Sequence, residues 1–156
     1  MQRIALRIRP LGAEDAGELH AIDRICFPED IAFSREEMEH YLKHPKSFAR
    51  SAEIGGKMAG FILARIDRYS GAHILTLDVI PGIRQRGVGT ALMNELHDEL
   101  ERRRVRVCFL EVGVRNAPAR SLYERLQYRY LGVLPGYYRG REDAYRMARF
   151  FGEISA

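Results

Sequence analysis

The sequence predicts an α/β fold of the mixed α+β kind, one mixed sheet with helices on both faces. Three observations carry that prediction. Segments of strand character and of helical period follow one another as strand, two helices, three strands, helix, strand, helix, two strands. The chain has 156 residues, 46% of them hydrophobic, enough for one domain over residues 1–156 with a core of its own. No repeat, linker or low-complexity run divides it.

Each element has a local cause. "RIALRIRP" alternates from Arg3 and is stopped by Pro10, as a first strand. "AEDAGELHAIDRICF" places apolar residues at helical spacing. "SREE" at Ser34–Glu37 is a capping box that opens a second helix, ended before Pro45. "SFARSAEI" and "KMAGFILARIDR" flank Gly55–Gly56, a hairpin signal. "HILTLDVI" is a further strand. Val88, Leu92 and Leu96 recur every fourth residue with Ala91 and Leu100 beside them, a long amphipathic helix to about Arg103. "VRVCFLEV" from Val105 is almost continuously apolar, the pattern of a strand buried on both faces. "NAPARSLYERLQ" is a short helix capped by Asn116. "YRYLGV" and "EDAYRMARFF" are the last strands, joined by a loop "LPGYYRGR".

Composition excludes several classes of function. No apolar stretch is long enough to cross a bilayer and no signal segment opens the chain, so a cytoplasmic protein without a membrane partner is expected. Cys26 and Cys108 are too few for a disulfide framework or a zinc knuckle, and His40 and His44 have no third ligand nearby, so no metal is expected. The net charge of +4 is concentrated at Arg84 and Arg86 and at Arg102, Arg103, Arg104 and Arg106. Such local clusters suit a small anionic ligand, and no direct nucleic-acid partner is expected. Oligomeric state is left open between monomer and dimer.

The stretch "IRQRGVGTALM" combines arginines, glycines and a helix start. Backbone N–H groups at a helix N-terminus and the positive end of its dipole bind phosphate. Gly87 and Gly89 permit close approach and positive φ, and Arg84 and Arg86 add charge-assisted bonds. A Walker loop is excluded because no lysine stands at the helix start. A dinucleotide fingerprint lacks its third glycine, where Leu92 stands. Glu111, 22 residues past Gly89 at the end of the next strand, nevertheless keeps a nicotinamide-dinucleotide protein as an alternative.

Arg84-Gln85-Arg86-Gly87-Val88-Gly89 matches the Arg/Gln-x-x-Gly-x-Gly/Ala signature of the GNAT acetyltransferase superfamily. "LEVGVRNAPARSLYERLQY" resembles the family's Leu-Glu-Val…Asn-x-x-Ala…Leu-Tyr segment. "GYYRGREDAYRM" resembles the ending of the branch that acetylates protein N-termini, ribosomal proteins among them. The resemblance covers nearly the whole chain, most tightly from Thr76 to Met147. It departs at Gln127 and Tyr128, where Gly-Phe is usual, and at Gly113 and Arg115, where arginine and serine are common.

The resemblance implies a mostly antiparallel, splayed sheet and acetyl-CoA as cosubstrate. Residues Arg84, Gln85, Arg86, Gly87, Val88, Gly89 and Thr90 would cradle its diphosphate. The splay would free backbone groups of Leu77, Asp78 and Val79 for the pantetheine arm, with Asn116 and Tyr123 beside it. Glu111 is the implied general base, its pKa expected to rise through partial burial. Tyr123 would serve the departing sulfur. Phe27, Pro28, Tyr137 and Tyr138 resemble the peptide-binding walls. His73 is expected as a surface histidine, at a place where some N-terminal acetyltransferases handle a proton. The implied reaction is direct attack by a protein N-terminal α-amine in a ternary complex. A lysine or small-amine acetyltransferase and a CoA sensor without turnover are the alternatives.

Overall fold

The computed structural model describes residues 5–84 and 86–152. Its strands are β1 (Arg7–Pro10), β2 (Ser47–Ile54), β3 (Lys57–Asp67), β4 (Gly71–Val79), β5 (Val107–Gly113), β6 (Arg129–Tyr138) and β7 (Glu142–Phe150). Its helices are α1 (Ala16–Cys26), α2 (Arg35–Lys43), α3 (Val88–Arg102) and α4 (Ala117–Arg125). Short 3-10 turns at Ala13–Asp15 and Pro81–Ile83 precede α1 and follow β4. Arg3 and Gln85 lie outside the described residues.

One seven-stranded sheet runs β1-β2-β3-β4-β5-β7-β6. Every neighbouring pair is antiparallel except β4–β5, which is parallel and brief. Only Ala72↔Cys108 and His73↔Phe109 pair there, after which the two strands part. This is the splay that the fold class implied.

Helices cover both faces. Val88, Leu92, Met93, Leu96 and Leu100 of α3 pack with Ile62, Ala64, Cys108 and Leu110 on one face. Leu19 and Ile22 of α1 and Met38 and Leu42 of α2 pack with Phe61 and Leu63 on the other. Each such side chain, fully buried, contributes roughly 1.5–3 kcal/mol relative to exposure. β3 therefore alternates between two cores, and it is the strand buried on both faces. β5 was expected in that role. Its Cys108, Leu110 and Val112 are buried, but its Phe109 and Glu111 are less completely covered, because the sheet opens beside them.

Local chemistry sets the boundaries. Ser34 Oγ accepts the Glu37 N–H at 3.0 Å and Glu37 Oε1 accepts the Ser34 N–H at 3.1 Å, so the capping box forms. Gly55 and Gly56 have φ of 59° and 81°, which a two-residue hairpin of this hand requires. The expected loop from Leu134 differs: β6 continues to Tyr138 through an irregularity between Leu134 and Tyr138. Pro135 lacks an N–H, which an edge strand tolerates, and Asp143 Oδ1 accepts the Gly136 N–H at 2.7 Å. This extension carries Tyr137 and Tyr138 back over the open end of the sheet.

Candidate active site

Two cavities open where β4 and β5 part. The larger, about 820 Å³, is lined by Leu77 and Val79 of β4, by Arg84, Gly87, Gly89 and Thr90 at the start of α3, and by residues of α4. The smaller, about 330 Å³, is lined by the α1–α2 connection, by β4 and β5, and by Tyr137 and Tyr138. Phe27, Leu77, Asn116, Tyr123 and Tyr138 line both, so the cavities meet at Tyr123.

The larger cavity fits an extended coenzyme with a diphosphate. Gly87 caps α3 at φ 85°, and a Cβ built there meets nothing within 4 Å, so its side of the loop is open. The first helical bond runs from Ala91 N–H to Gly87 O, which leaves the amides of Val88, Gly89 and Thr90 without intrahelical partners. Gly89 is set by packing: a Cβ there would stand 3.2 Å from Leu122 Cδ2. Arg84 is not free for anions alone. Its Nε donates to Val79 O at 2.9 Å, and the Cys26 thiol donates to the same oxygen at 3.4 Å. The Val79 carbonyl is thereby occupied rather than free. Arg86 is exposed and does not line either cavity. Asn116 Oδ1 accepts the Ala119 N–H at 3.3 Å, so it caps α4 while facing both cavities. Pro28 lines the larger cavity only.

Glu111 projects from the face of β5 opposite Cys108 and Leu110, its side chain 6% exposed. His73 Nε2 lies 2.7 Å from Oε1, Tyr137 hydroxyl donates to the same oxygen at 3.0 Å, and Arg146 Nε stands 3.7 Å from Oε2. Burial raises the pKa, but His73, Tyr137 and Arg146 together outweigh it, and the carboxyl is held below its ordinary value. The expected upward shift is thus corrected: burial raises the pKa by less than three polar partners lower it. His73 keeps 42% of its side chain exposed, yet it is joined to Glu111 rather than being a surface histidine alone.

Tyr123 is buried between Leu122 and Tyr128, and burial pushes its hydroxyl pKa well up, so it stays a proton donor. Tyr138 hydroxyl reaches Glu111 O at 3.5 Å. The residues expected from separate parts of the chain, Phe27, Glu111, Asn116, Tyr123, Tyr137 and Tyr138, are brought together. Asp23, Thr76, Phe33 and Arg139 also line the smaller cavity and were not anticipated. A signal for Asp23 existed: it falls on the stripe Leu19, Ile22, Asp23, Cys26, an acid at a core-facing helical position. Asp78 was anticipated for its backbone only; its side chain is buried with that of Thr76 on the α1–α2 face of β4, opposite Phe61 and Leu63 of β3.

Among the described residues no three His, Cys, Asp or Glu side chains cluster to hold a metal ion. No helix among them is long and apolar enough to cross a membrane.

Comparison with known proteins agrees with this geometry. The model of the acetyltransferase (GNAT) family matches residues 16–128. The chain is 40% identical to the [Ribosomal protein bS18]-alanine N-acetyltransferase of Escherichia coli, over 79% of this chain and 81% of that one. It is 29% identical to an N-alpha-acetyltransferase of Sulfurisphaera tokodaii, over 91% of each. The structure of Arabidopsis thaliana NAA60 in complex with acetyl-CoA superposes with a TM-score of 0.81 at 27% identity, over 94% of this chain and 99% of that one. A match spanning most of the chain, together with a sheet that parts beside a helix start lined with unpaired amides, places this protein in the GNAT acetyltransferase family as an N-acetyltransferase.

Proposed function

We propose that the protein transfers the acetyl group of acetyl-CoA to the N-terminal α-amine of a protein, with both substrates bound at once. An N-terminal alanine, as on the E. coli relative's substrate, is the first acceptor to test. The observation that carries the reading is the meeting of the two cavities at Tyr123, with Glu111 lining the smaller one.

The amides of Val88, Gly89 and Thr90, with Arg84 and Arg86 nearby, would hold the diphosphate. Gln85 and Gly87 complete that turn. Leu77 and Asp78 would offer backbone groups to the pantetheine arm, with Asn116 alongside. Once bound, acetyl-CoA supplies an activated thioester carbonyl.

The chain's own residues handle the protons. A free α-amine has a pKa near ~7.7–8.0, so much of it is neutral around pH 7.5, whereas a lysine near ~10.4 is almost wholly charged. Glu111, ionised throughout that range, accepts at its carboxylate the proton that the nitrogen sheds, directly or through one water. A carboxyl held below its ordinary pKa is a weak base, which matches an α-amine better than a lysine. Tyr123 donates its hydroxyl hydrogen bond to the departing sulfur. Phe27 on one side and Tyr137 and Tyr138 on the other would hold the peptide's first residues, with Pro28 next to Phe27 on the coenzyme side.

The test is a panel of peptides with free N-termini, N-blocked lysine peptides, and polyamines or aminoglycosides, each with labelled acetyl-CoA and mass spectrometry. Acetylation of free N-termini is expected. Preference for lysine or a small amine would replace the acceptor, and coenzyme binding without any transfer would leave only a sensor.

A further inference from the structure

The carboxyl groups of two acids beside the smaller cavity take no part in the chemistry above. Asp23 on α1 and Asp78 on β4 are each 1% exposed. Asp23 Oδ2 accepts the Phe33 backbone N–H at 2.7 Å, and Asp78 Oδ1 accepts the Thr76 hydroxyl. The two remaining oxygens, Asp23 Oδ1 and Asp78 Oδ2, have no donor among the described residues. Phe61, the cross-strand partner of Asp78, packs with Leu19 and Ile22 of α1, so Asp78 faces the stretch of helix that carries Asp23, and the two carboxyl groups act on each other. Acceptors in contact cannot bond without a hydrogen, and two desolvated carboxylates side by side repel. A single proton between them gives both orphaned oxygens a partner.

The surroundings do not supply a full counter-ion. Cys26 on α1 and Tyr123 on α4 face the pair as neutral groups with raised pKa values, Cys26 at about 11. Among the described residues, Arg84, in the turn after β4, is the cation that lowers Asp78, and its Nε is spent on Val79 O. Burial, with Asp23 adding to it, pushes Asp78 well above the ordinary carboxyl range.

We propose that Asp23 and Asp78 share one proton, and that this acid–carboxylate bond is a positioning device that ties the acceptor wall to the coenzyme strand. The geometry explains what it would hold. Asp23 grips the α1–α2 connection through Phe33, and that connection contributes Phe27, Ile31, Ala32 and Phe33 to the smaller cavity. Asp78 lies between Leu77 and Val79, which line the larger one. One bond therefore sets the distance between the two substrates' walls. Stripping the shared proton at alkaline pH opposes two charges across that bond and slackens the acceptor wall.

The inference rests on the acetyl-transfer reading only for the identity of the acceptor. Asp23→Asn keeps an oxygen for Phe33 and an N–H for Asp78 but has no proton to share; Asp23→Ala keeps neither. Two readouts are taken on native protein and both variants from about pH 6 to about pH 9.5. One is hydrogen exchange of residues 27–34 without substrates. The other is KM for an alanine-N-terminal peptide and for acetyl-CoA.

Asp23→Ala is expected to raise peptide KM roughly tenfold and acetyl-CoA KM less than about twofold, with faster exchange of 27–34. Asp23→Asn is expected to stay within about threefold of native near pH 7, as rescue by a retained hydrogen bond. The native-to-Asn ratio, which cancels the amine's own titration, should rise with pH in both readouts. An Asp23→Asn protein as impaired as Asp23→Ala, or a ratio flat with pH, overturns the shared proton. Should no form acetylate the peptide, the acceptor reading fails, and the exchange readout alone still decides the pair.

Discussion

Glu111 and Asp78 stand on the two strands that part to make the site, and their surroundings push them in opposite directions. Glu111 faces His73, Tyr137 and Arg146, and its pKa falls. Asp78 faces Asp23 and Thr76 in deeper burial, and its pKa rises. Distance from the core does not account for this, since both side chains are largely covered. The partners do: donors and a cation stabilise a carboxylate, whereas a second carboxyl and desolvation disfavour it. The site thus sets a carboxyl suited to taking a proton beside one suited to keeping it.

Removing the charge that defines the β5 wall should have the largest effect. Glu111→Gln is expected to lower kcat by about 10²–10⁴-fold while leaving acetyl-CoA affinity, read by titration, essentially unchanged. An unchanged kcat would take Glu111 out of the mechanism.

The β4 wall should reveal itself in stability instead. Asp78 holds its proton in the fold and loses it near 3.8 when unfolded. Its raised pKa therefore contributes stability that is complete below that value and is lost as pH rises through the folded pKa, at ~1.4 kcal/mol per pH unit for one proton. Asp78→Asn should flatten that decline in urea unfolding followed across pH. Parallel native and variant curves would mean that the pair holds no extra proton.

The contrast can be narrowed by weakening one side. His73→Gln removes the strongest influence that lowers Glu111 and leaves burial to raise it. The acid limb of kcat/KM should then move to higher pH. An unmoved limb would show that His73 does not tune Glu111.

The smallest effect serves as a control away from both walls. Gln127 adopts φ of 70° just after α4, where the resembling family has glycine. Gln127→Gly should stabilise by less than about 1 kcal/mol, relief of strain being partly offset by a freer unfolded chain. Neither carboxyl should change its titration. The neighbouring departure has its own partner. Arg149 Nη1 lies 3.1 Å from His97 Nδ1, so Nε2 carries the hydrogen and donates to Tyr128 hydroxyl at 2.8 Å. Burial keeps His97 neutral, with a pKa of about 4. A phenylalanine at 128 would leave that donor unmet.

Element order, the capping box at Ser34, the hairpin at Gly55–Gly56 and the helix from Val88 were all legible in the sequence, because each depends on residues within one or two turns of one another. The positive φ of Gly87 and the cap at Asn116 were legible for the same reason. What the sequence could not set is every relation between residues far apart in the chain. The parting of β4 from β5 after their brief pairing is a relation between strands with all of α3 between them in the chain. The direction of the Glu111 pKa depends on His73, Tyr137 and Arg146 arriving from three other strands. The contact of Asp23 with Asp78 joins a helix stripe to a strand face 55 positions away. Charge and burial act through space, so the acid–base character of this site was decided only when the sheet closed around it.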